Sequence, residues 1–190
     1  MGNILFITGG ARSGKSSHAE EIARRYRDVA YIATGIVTDD EMKLRVQRHQ
    51  EQRPQEWTTY EEPYDIARVI RSHSHETYLI DCVTVYITNL LLKEKENWDS
   101  DILERSEQMQ LENAVEKKIR ELVLAMKECG GNFIVVSNEV GLGLVPAYPL
   151  GRVFRDAVGR ANQMIAAEAA QVYLSVSGVL LPLKGKEEEI

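Results

Sequence analysis

The sequence predicts an α/β domain of three layers, in which a mainly parallel sheet is covered by helices on both faces and one edge strand runs antiparallel. Two observations carry that expectation. Short apolar runs alternate with stretches of helical period from Asn3 to Leu183, and helices between strands imply the crossovers that parallel strands require. The last two strand runs are separated by Ser177-Gly178 alone, which is hairpin spacing.

Asn3 to Thr8 is a short apolar run ending in glycines, and the stretch after it sets Ala19, Ile22, Ala23 and Tyr26 at helical spacing. Val29 to Thr34 is a second strand. Thr38 with Glu41 three residues on has the form of a capping box, so a helix is expected from about Asp39 until Pro54 forbids it. Pro63 suits the first turn of a further helix carrying Ile66, Ala67 and Ile70, which leads to a strand at Thr77 to Cys82. Val83 to Leu92 reads as a buried helix, followed by the polar break Glu94 to Asp101. A long amphipathic helix then carries Leu111, Val115, Ile119, Leu122 and Met126, and Gly130-Gly131 closes it. Asn132 to Ser137 is the most strand-like run. A Gly/Pro-rich loop from Asn138 to Gly151 is expected to move near a substrate, because it lies beside a strand's carboxyl end. A helix through Ala170 and strands at Val172 to Val176 and Val179 to Leu183 complete the pattern. No repeat or linker interrupts it, so residues 1–184 are expected to form one domain and 185–190 a charged tail.

With 190 residues, 44% hydrophobic and 27% charged, the chain can build one core that removes about 70% of its unfolded surface from water. A net charge of −6 gives no overall basic field, which argues against nucleic acid as the main partner. No window approaches the roughly 18 apolar residues of a membrane span and no basic leader is seen, so a cytoplasmic protein is expected. Cys82 and Cys129 lie far apart without metal-ligand spacing and are expected to be reduced thiols in the core or at element ends.

The segment Gly9-Gly10-Ala11-Arg12-Ser13-Gly14-Lys15-Ser16 fits G-x-x-x-x-G-K-[ST], with a strand before it and a helix after it. Glycines let backbone N–H groups converge on phosphate oxygens, and the following helix adds a favourable dipole. Lys15 would reach the β- and γ-phosphates, and the Ser16 hydroxyl would ligate Mg²⁺. The domain is therefore expected to be of the P-loop NTPase type and to use a nucleoside triphosphate. Asp81 ends the run Tyr-Leu-Ile-Asp, where an acid at the carboxyl edge of a neighbouring strand can contact the metal or a ribose, or can cap the next helix.

In the expected helix after Asp39, Arg45 and His49 share a face, and Arg53 follows four residues later. A neutral imidazole can attack an α-phosphorus, with guanidinium groups offsetting charge in the transition state. By spacing alone the signal is weak, because a helical histidine among charged residues is usually a solvated side chain. His18, His73 and His75 carry no further signal.

Several ordered blocks resemble one family, the bifunctional adenosylcobinamide kinase / adenosylcobinamide-phosphate guanylyltransferases of cobalamin nucleotide-loop assembly. They are Thr8-Gly-Gly-Ala-Arg-Ser-Gly-Lys-Ser16, Tyr31-Ile-Ala-Thr34, Asp40-Glu-Met42, Arg45-Val-Gln-Arg-His49, Arg53-Pro54 with Trp57, Thr88-Asn-Leu-Leu91, Ser137-Asn-Glu-Val-Gly-Leu-Gly143 with Val145-Pro146, and Phe154-Arg-Asp156 with Gly159-Arg160 and Asn162-Gln163. The resemblance implies phosphorylation of adenosylcobinamide with ATP or GTP as donor, then transfer of GMP from GTP to the product through a covalent GMP-histidine at His49. It implies nucleotide contacts at the phosphate loop, at Ala33, Thr34 and Gly35, at Gln50, Glu51, Gln52 and Arg53, and at Glu61 and Asp81. Mg²⁺ would sit against Ser16 and Asp81, and Lys15 and His49 would be the catalytic pair. A homo-oligomer, a trimer by family analogy, is also implied. Two readings remain beside it: a P-loop kinase of another small hydroxyl compound without guanylyl transfer, and a nucleotide-dependent switch protein. The general base for the kinase step is not identified, Glu139 being one candidate.

Overall fold

The computed structural model describes residues 2–36, 53–95, 97–98 and 102–185. Its strands are β1 (Asn3–Gly9), β2 (Val29–Ala33), β3 (Thr58–Glu61), β4 (Thr77–Asp81), β5 (Asn132–Asn138), β6 (Gln171–Val176) and β7 (Val179–Lys184). They form a sheet in the order β3-β2-β4-β5-β1-β6-β7, parallel throughout except that β7 runs antiparallel to β6. The helices are α1 (Lys15–Ala23), α2 (Ile66–Ser72), α3 (Val83–Glu94), α4 (Arg105–Glu128) and α5 (Pro149–Glu168).

Side chains of successive strand residues leave opposite faces, and two apolar clusters result. Ala30 and Ile32 of β2, Tyr78 and Ile80 of β4, and Phe133 and Val135 of β5 pack with residues of α2, α3, α4 and α5. Their neighbours Val29, Tyr31, Leu79, Ile134 and Val136 pack with Ala19, Ile22 and Ala23 of α1 on the other face. Each strand of the sheet's centre is covered on both sides, which is why these runs are apolar throughout rather than alternating.

Three expectations need adjustment. Pro63 lies outside α2, which starts at Ile66 behind Asp65, whose Oδ1 accepts from the Arg68 N–H at 3.3 Å. Strand β3 was not expected: Thr-Thr-Tyr-Glu is mostly exposed at the sheet's edge, with Tyr60 alone partly buried, so it lacks an apolar run. Helix α5 stops at Glu168, two residues short of the expected end. The helix expected between Asp39 and Pro54 falls almost wholly outside the described residues, as does half of the polar break from Glu94 to Asp101. Both cysteines are free, and Cys82 sits at the N-terminus of α3, Cys129 at the C-terminus of α4.

Candidate nucleotide site

The carboxyl ends of the parallel strands gather the residues expected at the site. Gly9 stands beside Asn138 of β5 and Ser175 of β6, while Ala33 stands between Glu61 of β3 and Asp81 of β4. The phosphate loop Gly9 to Ser16 runs from the end of β1 into α1, whose N-terminus begins at Lys15. Glycine is demanded at two of its positions. A Cβ at Gly9 would lie 2.3 Å from the Ser175 carbonyl oxygen, and Gly14 has φ of 98°, with a built Cβ 3.3 Å from Gly178 Cα. Arg12 is also left-handed, at φ 55°, a conformation non-glycine residues hold at a cost of about 1 kcal/mol or more.

Lys15 is buried and donates from Nζ to the Gly10 carbonyl at 2.6 Å, across the loop. Burial lowers its pKa below the ordinary 10.5, and the negative potential of Cys82 and Asp81 pulls against that shift. The Asp81 charge, at the end of β4, thus acts on Lys15, which follows β1 on the far side of β5. Asp81 Oδ2 accepts from the Tyr31 hydroxyl at 3.0 Å, and the Arg53 guanidinium lies over the Tyr31 ring, 3.3 Å from its centroid. The Trp57 ring stacks on Tyr31 at 6.5 Å, and Arg24 of the chain after α1 lies 6.0 Å over Trp57. Arg53 Nε is buried and has no hydrogen-bond partner among the described residues. Tyr31 was read from the sequence as part of an apolar strand and as the start of the block Tyr31-Ile-Ala-Thr34, with no role of its own at the site. The apolar run by itself marks its tyrosine only as core.

Thr34 is fully buried, and its hydroxyl both accepts from the Cys82 N–H and donates to the Cys82 carbonyl, each at 2.9 Å. Its carbonyl accepts from Asn89 Nδ2 of α3 at 2.7 Å. The side chain thus clasps the ends of β2 and β4, flanked by the half-buried Ala33 and Gly35. At the end of β5, between β4 and β1, Thr84 and Ser137 share a hydroxyl hydrogen bond of 3.1 Å, and Thr84 Oγ1 also accepts from the Asn138 N–H at 2.6 Å. Glu139 donates its N–H to the Gly9 carbonyl at 2.9 Å, tying the loop after β5 to the phosphate loop. Beyond it Leu142, Leu144, Val145 and Tyr148 are exposed. His49, Gln50, Glu51 and Gln52 lie outside the described residues, so of the histidine segment's end only Arg53 is seen.

A family described as cobinamide kinase / cobinamide phosphate guanyltransferase matches this sequence over residues 5–183. The chain belongs to that family. Among its members, the "bifunctional adenosylcobalamin biosynthesis protein CobU" of Escherichia coli (strain K12) is 39% identical over 188 residues, covering 95% of this chain and 99% of that one. The protein of the same name from Salmonella typhimurium (strain LT2) matches at 39% over 188 residues with the same coverage. The "bifunctional adenosylcobalamin biosynthesis protein CobP" of Pseudomonas aeruginosa is 39% identical over 183 residues, covering 95% and 96%. The cobinamide kinase family fold also resembles a solved ATPase from a type III secretion system, with a TM-score of 0.51, 13% identity, and 92% of this chain but 51% of that one covered. This chain spans about half of that ATPase's length, and the likeness is one of fold.

Proposed function

We propose that this protein phosphorylates the hydroxyl of adenosylcobinamide with a nucleoside triphosphate and then transfers GMP from GTP to that phosphate. In the first step the cobinamide oxygen bonds to the γ-phosphorus, the bond to the β-bridging oxygen breaks, and the hydroxyl proton leaves. In the second, a ring nitrogen of His49 bonds to the α-phosphorus of GTP and pyrophosphate departs. The cobinamide phosphate oxygen then displaces the imidazole and releases adenosyl-GDP-cobinamide. A phosphoramidate divides a hard displacement between two anions into two easier ones.

The observation that carries this reading is the Arg53–Tyr31–Asp81 contact. Arg53 follows His49 by four residues and lies over Tyr31, whose hydroxyl donates to Asp81, and the Asp81 charge acts on the buried Lys15. The backbone donors of the phosphate loop and Lys15 would hold the phosphates, and Arg53 would offset charge at the α-phosphorus. Ser16 and Asp81 offer hard oxygen donors that suit Mg²⁺, which would supply charge neutralisation on the phosphates. The exposed Leu142, Leu144, Val145 and Tyr148 beside the site suit an apolar flank of the corrinoid.

Intact-mass measurement after incubation with GTP and Mg²⁺ tests the reading. One added GMP is expected, absent from His49→Asn. Wild type that takes no GMP but still phosphorylates cobinamide would establish the kinase-only alternative, and slow hydrolysis without a phosphorylated corrinoid would favour a switch protein.

No helix among the described residues is long and apolar enough to cross a membrane, in keeping with action in the cytoplasm. A homo-oligomer, a trimer by family analogy, would bury the outer face of β7, where Val179, Leu181 and Leu183 alternate and are exposed. Light scattering should then report a smaller particle for Leu181→Lys than for wild type, and an unchanged mass would remove β7 from the contact.

A further inference from the structure

We infer that the turn between β6 and β7 is a positioning device for the phosphate loop, with Ser175, Gly178 and His18 fixing the direction of the Gly14 N–H. The inference deepens the nucleotide reading above and rests on it.

The Ser13 carbonyl accepts two hydrogen bonds from outside its own loop: from Ser175 Oγ at 2.7 Å and from the Gly178 N–H at 2.9 Å. A trans peptide is planar, with its C=O and N–H pointing opposite ways. Holding the Ser13 oxygen toward β6 and the turn therefore holds the Gly14 N–H away from them, toward the inner side of the loop where a phosphate would lie. Gly14 stands immediately before α1, so its N–H is one of the donors a helix start leaves for an anion.

The turn is itself held. The Gly178 carbonyl can only accept, so its 3.0 Å contact with His18 Nε2 is a bond donated by that ring nitrogen. His18 lies one turn into α1, so the contacts run from phosphate loop to turn and back to the loop's own helix. Contact is close everywhere along it: a Cβ built at Gly14 reaches within 3.3 Å of Gly178 Cα, and Ser175 is fully buried beside Gly9. Donors whose directions are set before the ligand arrives need no reorganisation when it binds.

The test uses Ser175→Ala, His18→Ala, the double variant and His18→Asn in the full chain, with GTP and ATP affinity by calorimetry, KM and kcat, and the Gly14 amide resonance. Ser175→Ala leaves the Ser13 carbonyl its bond from Gly178, so the fold has no orphaned group at that atom. Each alanine variant should weaken triphosphate binding and raise KM about 5- to 10-fold, with kcat changed much less. The Gly14 amide should shift less on saturation with GTP, and His18→Asn, which still offers a donor, should recover much of the loss. If Ser175→Ala fails to fold, the half-buried His18 pair carries the same test. Wild type that binds no triphosphate dependent on Lys15 would overturn the nucleotide reading itself. Wild-type affinity and an unchanged Gly14 amide in the variants, with the wild type binding normally, would overturn the positioning role alone.

Discussion

Tyr31 shows how one side chain can serve core and site together. Its ring is packed in the cluster under α1, while its hydroxyl reaches Asp81 and its face carries Arg53. Burial, and after it the negative charge of Asp81, raise the hydroxyl pKa far above the ordinary 10.0, so it stays a neutral donor and cannot act as a base. Tyr31→Phe should keep the stack and lose the donated bond, costing about 1 kcal/mol in denaturant unfolding and lowering kcat about tenfold through a less fixed Asp81. Steady-state kinetics and urea titration read the two effects separately, and an unaltered kcat would deny Asp81 its part. The same carboxylate bears on Lys15, whose pKa burial depresses while Cys82 and Asp81 hold it up. Removing the Asp81 charge as Asn should lower the Lys15 pKa further. The alkaline limb of the kcat/KM profile, where Lys15 loses its proton, should then move to lower pH. A limb that stays in place or moves up would show that Asp81 does not act on this lysine.

At the scale of elements, the turn from β3 to α2 is the part the site depends on and the sequence conceals. Glu62 donates its N–H to the Ala33 carbonyl at 2.9 Å, and its carboxylate accepts from the Tyr64 and Asp65 N–H groups, each at 3.0 Å, and from Arg68 at 2.5 Å. Burial pushes the Glu62 carboxyl up, but Arg68 and the two backbone donors outweigh it, so the pKa falls below the ordinary 4.5. A depressed carboxyl pKa contributes stability that is complete above the unfolded value and is lost as pH falls through the folded one. Glu62→Gln should therefore cost about 1–2 kcal/mol at pH 7, at the low end because Arg68 is exposed and screened, with wild type and variant converging as pH falls through the depressed folded value. Chemical denaturation at several pH values reads this, and a gap independent of pH would assign the cost to packing. The central strands were legible because both their faces are buried and their runs are apolar; the hairpin spacing at Ser177-Gly178 likewise announced β7. Strand β3 was not legible, since an edge strand with one partly buried residue leaves no periodic trace, and Pro63 misdirected the start of α2 because Asp65 caps it instead. In the site, the phosphate loop is contiguous and could be read directly. Ser175 and Gly178 reach that loop only through sheet register and the turn after β6 and carry no motif of their own, and Tyr31, though it opens a family block, meets Asp81 and Arg53 only in the fold.

For the whole molecule, the residues expected to hold nucleotide come from the ends of β1, β2, β3 and β4, and from Arg53 beyond the histidine segment, while Ser175 of β6 backs the loop. A ligand that bridges so many strand ends binds the folded chain and has nothing equivalent in the unfolded one. Stability should then rise with ligand concentration by mass action, by about 2.7 kcal/mol at a hundredfold excess over Kd. For a chain of 190 residues that corresponds to about 5–10 °C in Tm. Lys15→Ala should keep the ligand-free Tm close to wild type, because relieving a buried ammonium offsets the packing it loses, yet it should lose most of the GTP-induced rise. Scanning calorimetry with and without GTP and Mg²⁺ measures both quantities. A rise that survives in Lys15→Ala would mean that GTP is held elsewhere on the molecule. A rise lost in His49→Asn but kept in Lys15→Ala would place the dominant nucleotide contacts on the histidine segment rather than on the phosphate loop.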